Sequence, residues 1–387
     1  MTTPTAKPTP LLRTLSLTQI TLYGIGTILG AGIYVLVGEV ANITGSYMPL
    51  AFVLAALVVS FSAYSYGHLS RPYPVSAGEP VYVQQAFSLK GLSTLVGYAI
   101  VFAGIVSAAT IARGFSGYFA VFLELPDALT ISLLIILLTA IAAWGVKLSV
   151  TVAITTTLLE LLGLAFVIYA GADKLPALFS NPDSPLIPTN LSAWQGVGAG
   201  AFLAFYAFIG FEDMVNMAEE VKQPEKNMPR GILMALVTAC LLYFIVTLCA
   251  LAAVPLQDLA ASKAPLVLVV EQNTAIPIAL MTSISIVAVV NGALLQIIMA
   301  SRVLYGMAKK GMAPGFLATV HPRRQTPLSA TFLVGTLVLS AALLAPIVTL
   351  AQATSGTILC IFTMVNPALL RPVPYTHLTL PPKSQVG

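Results

Sequence analysis

The chain alternates long apolar runs with short polar ones. Ten runs approach the ~20 apolar residues that a helix needs to cross ~30 Å of hydrocarbon. They lie at roughly 18–38, 48–67, 91–121, 128–146, 149–172, 194–217, 231–254, 275–302, 328–346 and 354–370. The segment 76–90, SAGEPVYVQQAFSLK, is too polar to span. It predicts a short amphipathic helix on the inner surface that leads into the third run. The stretch 173–193 is rich in Pro, Asn and Asp and separates two halves of five runs each.

Composition agrees with this pattern. Of 387 residues, 58% are hydrophobic and 8% are charged, with a mean hydropathy of +0.93. Soluble domains are about 25% charged, so lipid must cover much of this surface. The first run is long and Gly-rich and lacks a small-residue cleavage site, so it predicts a span rather than a cleaved signal.

Charge sets the orientation. With the N-terminus inside, the inner segments hold Lys7, Arg13, Arg71, Lys90, Lys147, Lys222, Lys226, Arg230, Arg302, Lys309, Lys310, Arg323, Arg324 and Arg371, and the outer loops only Lys174 and Lys263. This is the bias expected of cytoplasmic loops. It predicts a multi-pass protein of the cytoplasmic membrane. The net charge of +4 is scattered, so no nucleic-acid partner is expected. Cys240, Cys249 and Cys360 lie inside apolar runs, and His68 and His321 sit alone at span ends. None of these spacings predicts a disulfide framework, a metal site or a cofactor. Nothing in the sequence specifies an oligomeric state.

The first run of each half is interrupted by glycine. Gly24, Gly26, Gly30 and Gly32 fall in GIGTILGAGIY, and Gly196, Gly198, Gly200 and Gly210 in GVGAGAFLAFYAFIGFED. Each interior glycine costs a helix about 1 kcal/mol relative to alanine. Paired interruptions in matching positions point to a transporter binding site. A broken helix frees backbone N–H and C=O groups that lipid cannot satisfy. Amides at a half-helix N-terminus suit a carboxylate, and carbonyls at a C-terminal end suit an ammonium. An amino acid carries both. The alternative is that the glycines only permit close packing, since Gly26 and Gly30 form a GxxxG pair.

Four motifs carry a resemblance: GTILGAGIY (26–34), FYAFIGFED (205–213), AEEVKQPEKNMPRGI (218–232) and ASRVLYGMAKKGMAP (300–314). In this order and at these spans, the chain resembles the amino acid–polyamine–organocation permease superfamily. The resemblance implies an all-α membrane protein with a leucine-transporter-like five-plus-five inverted repeat, discontinuous in helices 1 and 6. Its repeats would cover roughly 18–172 and 194–370. It implies that amides around Ala31, Gly32 and Ile33 hold a substrate carboxylate and that carbonyls of Tyr206, Ala207 and Ile209 hold the amino group. Phe208 would belong to an aromatic gate or to ordinary core packing. Family members generally have twelve spans, so residues 1–372 are expected to be a permease domain that continues natively. Residues 373–387, within PVPYTHLTLPPKSQVG, read as a non-native tail.

Charges inside the runs are functional candidates by default. Glu160 is the only charge in its run. Burial penalises its ionised form, which suits either proton coupling or a structural hydrogen bond. In proton-coupled members of the resembled family, a lysine at what corresponds to this position stands in for sodium, so glutamate departs from that pattern. Glu212 and Asp213 follow the second interruption, as caps for free amides or as ligands and gate residues. Arg113 faces a polar cavity, snorkels or pairs with an acid such as Glu160. Arg302 anchors the inner end of its run or belongs to a gate. Glu219, Glu220 and Glu225 near Lys222, Lys226 and Arg230 form a solvated face or a gate salt bridge. The predicted function is secondary active transport of amino acids, driven by protons more readily than by sodium. Polyamine or organic-cation transport and amino acid exchange are the alternatives. No ring of like charge suggests a channel, and no nucleophile–base pair suggests an enzyme.

Overall fold

The computed structural model describes residues 13, 15–30, 32–74, 78–144, 150–180, 186–321 and 326–370. Among them every long element is helical, and each of the ten apolar runs coincides with helix. In chain order the helices are α1 (Leu17–Leu29), α2 (Gly32–Thr44), α3 (Met48–Leu69), α4 (Gly78–Phe87), α5 (Lys90–Ala120), α6 (Asp127–Trp144), α7 (Val150–Gly171) and α8 (Leu175–Phe179). They continue as α9 (Leu191–Ala204), α10 (Pro224–Ala253), α11 (Leu256–Ala261), α12 (Pro265–Asn273), α13 (Ile278–Lys309), α14 (Leu328–Leu344) and α15 (Ile347–Val365).

Eight helical stretches of the described residues are long and apolar enough to cross a membrane. The first, Leu17–Leu69, holds α1 to α3. Its 53 residues would reach about 80 Å as one helix, more than twice a ~30 Å hydrocarbon core, so it contains more than one crossing. The 17-residue α14 is a shorter apolar helix. Side chains such as Leu57, Phe61 and Ile136 point outward, as lipid contact requires.

Local chemistry explains the boundaries. Ser16 caps α1 reciprocally with Gln19: Gln19 N donates to Ser16 Oγ (3.3 Å) and Ser16 N donates to Gln19 Oε1 (3.0 Å). Asn190 caps α9 by accepting from Ala193 N at 2.8 Å. Pro49, Pro224 and Pro265 stand in the first turns of α3, α10 and α12, where a missing N–H costs nothing. The long α5 packs on α13, α14 and α15, while α1 packs on α7 and α10. Lys222 N donates to Leu15 O at 2.9 Å, which ties the start of the described chain to the segment that follows the second interruption.

The predicted inner-surface helix is present as α4. It differs from a solvated amphipathic helix in one respect: its Glu79 is buried with Tyr82 and Val83. The tail at 373–387, Lys147, Arg323 and Arg324 lie outside the described residues.

Candidate functional site

Both glycine-rich runs break. α1 ends at Leu29, Gly30 leaves the helix (φ 15°, ψ −134°), and α2 starts at Gly32. The second run passes from α9 into a 3-10 turn over Phe205–Phe208. Ile209 is then extended, Gly210 takes φ +128°, and a 3-10 stretch covers Glu212–Glu220.

The two breaks lie against each other, and glycine makes the approach possible. A Cβ on Gly32 would fall 2.5 Å from Ala207 Cα. A Cβ on Gly210 would strike the carbonyl oxygen of Thr27, and its backbone angle already disfavours any other residue. On the α7 side, a Cβ on Gly26 would overlap Thr157. Close packing and broken helices, alternatives at the sequence level, are therefore both present.

Tyrosines tie the breaks to the surrounding helices. The Tyr243 hydroxyl on α10 is 2.8 Å from Ile28 O and 2.9 Å from Ala207 O, so one donor serves a carbonyl from each break. Tyr206 donates to Ser107 O on α5 (3.1 Å) and shares a 2.9 Å hydroxyl pair with Ser107 Oγ. Tyr34 on α2 donates to Glu160 O on α7 at 2.7 Å, and Tyr118 on α5 donates to Tyr34 O at 2.5 Å.

A cavity opens where the breaks meet α5 and α13. The first break contributes Gly26, Thr27, Ile28, Gly30 and Gly32, and the second contributes Tyr206, Ile209 and Asp213. Ser107 and Ile111 line it from α5, and Asn291, Gly292, Leu295 and Gln296 from α13. The wall thus combines open backbone with hydroxyl, amide and carboxyl groups.

Of the predicted site residues, Gly32, Tyr206, Ile209 and Asp213 line this cavity. Ile33 and Ala207 are buried beside it, and Ala31 lies outside the described residues. Phe208 packs on Phe52 and Tyr243, with ring centroids 6.4 and 5.0 Å away, and does not line the cavity. Glu212 accepts from Gly210 N at 2.8 Å and so satisfies an amide freed by the break. Arg113 donates to Ala342 O on α14 at 2.6 Å, not to an acid.

Glu160 is fully buried, and among the described residues neither carboxyl oxygen has a hydrogen-bond partner. The hydroxyl groups of Tyr34 and Tyr243 lie within its electrostatic reach. Such surroundings accept a neutral acid, or a carboxylate with a bound cation.

Sequence reasoning did not single out Ser107, Asn291 or Gln296. The available signal was weak: two amide side chains, Asn291 and Gln296, within one apolar run. Intramembrane polar groups are expensive and so carry a functional presumption.

A family model described as amino acid permease matches residues 15–372. Cationic amino acid transporter 4, vacuolar, of Arabidopsis thaliana is 29% identical, over 98% of this chain and 66% of its own length. Branched-chain amino acid permease BcaP of Bacillus subtilis is 30% identical, over 93% of this chain and 81% of its own. The methylthioribose transporter of Bacillus subtilis is also 30% identical, over 94% of this chain and 82% of its own. The chain spans about two thirds of the first relative's length and about four fifths of the other two. The match runs through both breaks and every cavity-lining helix, and on that ground the chain belongs to the amino acid permease family.

Proposed function

We propose that this chain forms the core of a secondary active transporter that moves amino acids across a cytoplasmic membrane by alternating access. One observation carries the reading: two helix breaks lie against each other and, with α5 and α13, wall one cavity. Backbone amides near Ala31, Gly32 and Ile33 bind the substrate carboxylate, and carbonyls of Tyr206, Ala207 and Ile209 bind the ammonium. Phe208 supports the second break through its tilted and edge-to-face ring contacts with Phe52 and Tyr243. The architecture is a leucine-transporter-like five-plus-five repeat in which one bundle rocks against the other around this site.

Coupling is to protons, with Glu160 as the carrier. Its burial without a partner among the described residues supports that role, because gain or loss of a proton there changes the local energy sharply. Glu212 and Asp213 shape the inner gate. Uptake driven by an imposed pH gradient in proteoliposomes tests the reading. Saturable accumulation above the external concentration supports it, and simple equilibration argues against it.

A second reading concerns the substrate. Asp213 lines the cavity, which favours a cationic side chain or a polyamine over a purely apolar one. The relatives' names span cationic amino acids, branched-chain amino acids and methylthioribose, so they leave the choice open. Competition by lysine, leucine and spermidine against a labelled amino acid separates these classes.

A further inference from the structure

On the α4 side of the second break, carboxyl groups from two separate elements come together, two of them buried and the third, Asp213, partly buried. Glu212 and Asp213 open the 3-10 stretch, and Glu79 stands in the first turn of α4. Glu79 and Glu212 are each 6% exposed. Glu79 lies within electrostatic reach of Asp213, and the Tyr66 hydroxyl within reach of Glu79, Glu212 and Asp213. The Tyr66 ring from α3 is held among Tyr82, Phe211 and Phe362, at 6.2, 5.5 and 5.5 Å.

Two further facts mark this as a site rather than a simple run of acids. The hydroxyl groups of Tyr66 and Tyr82 are buried; Tyr82 has no hydrogen-bond partner among the described residues, and the Tyr66 hydroxyl has none but the adjacent Glu79 carboxyl group. Both hydroxyl groups lie beside Glu79, and Glu212 already accepts from Gly210 N. Among the described residues, moreover, no lysine or arginine forms an ion pair with any of the three acids. Of the elements packed here, α10 carries Lys226 and Arg230 and α5 begins at Lys90, and none of these is ion-paired with the three acids. α5 contributes Ser93, which donates to Pro80 O at 3.3 Å, and α15 contributes Phe362. Asn366, just beyond α15, donates to Ser62 Oγ at 3.1 Å.

We propose that Glu79, Glu212 and Asp213 form a shared proton-binding site that clamps α4 onto the second break when loaded. Two buried carboxyl groups and a partly buried third, none of them ion-paired among the described residues, cannot all ionise without cost. A bound proton lets one acid donate to another, and release to water leaves like charges facing across the α4 contact. Burial, with Asp213 adding to it, pushes Glu79 up to about 7, so loading changes within the physiological pH range. Asp213 also lines the cavity, so the clamp and the cavity share a wall. The site is separate from Glu160.

The test is amide hydrogen exchange of α4 (Gly78–Phe87) in the full chain in lipid nanodiscs. After correction for intrinsic rates, α4 exchange should be about tenfold faster at about pH 8.5 than at about pH 5.5. Glu79→Gln should abolish the step and stay protected at both values, while Glu79→Asp keeps it. Wild-type exchange without a pH step overturns the proposal, as does Glu79→Gln with the full step. If Glu79→Gln does not fold, the wild-type comparison and loss of the step in Asp213→Asn decide. Protection regained at high pH with sodium chloride but not potassium chloride would make this a sodium site and overturn the proton assignment.

Discussion

Gly32 of the first break sits directly on Ala207 of the second, so close that a Cβ would fall 2.5 Å from the Ala207 Cα. The obstacle is backbone, which cannot swing aside as a long side chain does. Forcing one methyl group into such a contact costs about 1–3 kcal/mol. Gly32→Ala should therefore separate the breaks, with loss of most uptake and a lowered thermal midpoint. Paired uptake and thermal-shift measurements check this. A variant with wild-type values for both would mean that the two breaks are not in contact.

Gly210 extends the test to the second break. Its φ of +128° and its contact with the Thr27 carbonyl both exclude a side chain. Gly210→Ala should be worse than Gly32→Ala, because it adds about 1–3 kcal/mol of backbone strain to the clash. The order of the two thermal midpoints is the readout.

Tyr243 holds carbonyls from both breaks with one hydroxyl. Tyr243→Phe keeps the ring contacts with Phe52 and Phe208 and removes only that donor. Leaving buried carbonyls unsatisfied costs about 1–3 kcal/mol. The expected result is weaker apparent substrate affinity with near-normal folding, measured as a raised KM against an unchanged monodisperse elution profile.

Glu79 gives a pH dependence with a definite sign. Its value in the folded chain is about 7 against 4.5 for a free side chain, because burial disfavours the charged form. An acid shifted this way supports the fold fully below about pH 4.5 and loses that support as pH rises through about 7, by about 3 kcal/mol. The wild-type thermal midpoint should fall between these values, and Glu79→Gln should flatten the fall.

How much of this was legible in the chain differs by element. The spans were legible because crossing hydrocarbon demands a length and composition that few other structures need. The breaks were legible because glycine is poorly tolerated inside a helix unless the backbone requires it. Cavity walls from α5 and α13 were not. Ser107, Asn291 and Gln296 sit in apolar runs, and their neighbours are set by packing between helices distant in sequence. Glu79 was hidden for the opposite reason: its segment is polar enough to look solvated, and only the fold buries it beside Asp213. Arg113 was open to several readings, and the carbonyl that satisfies it belongs to α14, 229 positions along the chain.

Proton-driven transport through the site walled by the two breaks, with Glu160 as the carrier, is the proposal on which the rest depends. The most direct measurement is uptake of a labelled amino acid into proteoliposomes of the full chain under an inward pH gradient, wild type beside Glu160→Gln. The account predicts saturable accumulation above the external concentration by wild type, abolished by an uncoupler. It predicts that Glu160→Gln exchanges substrate but does not concentrate it. Undiminished accumulation by Glu160→Gln would contradict the account.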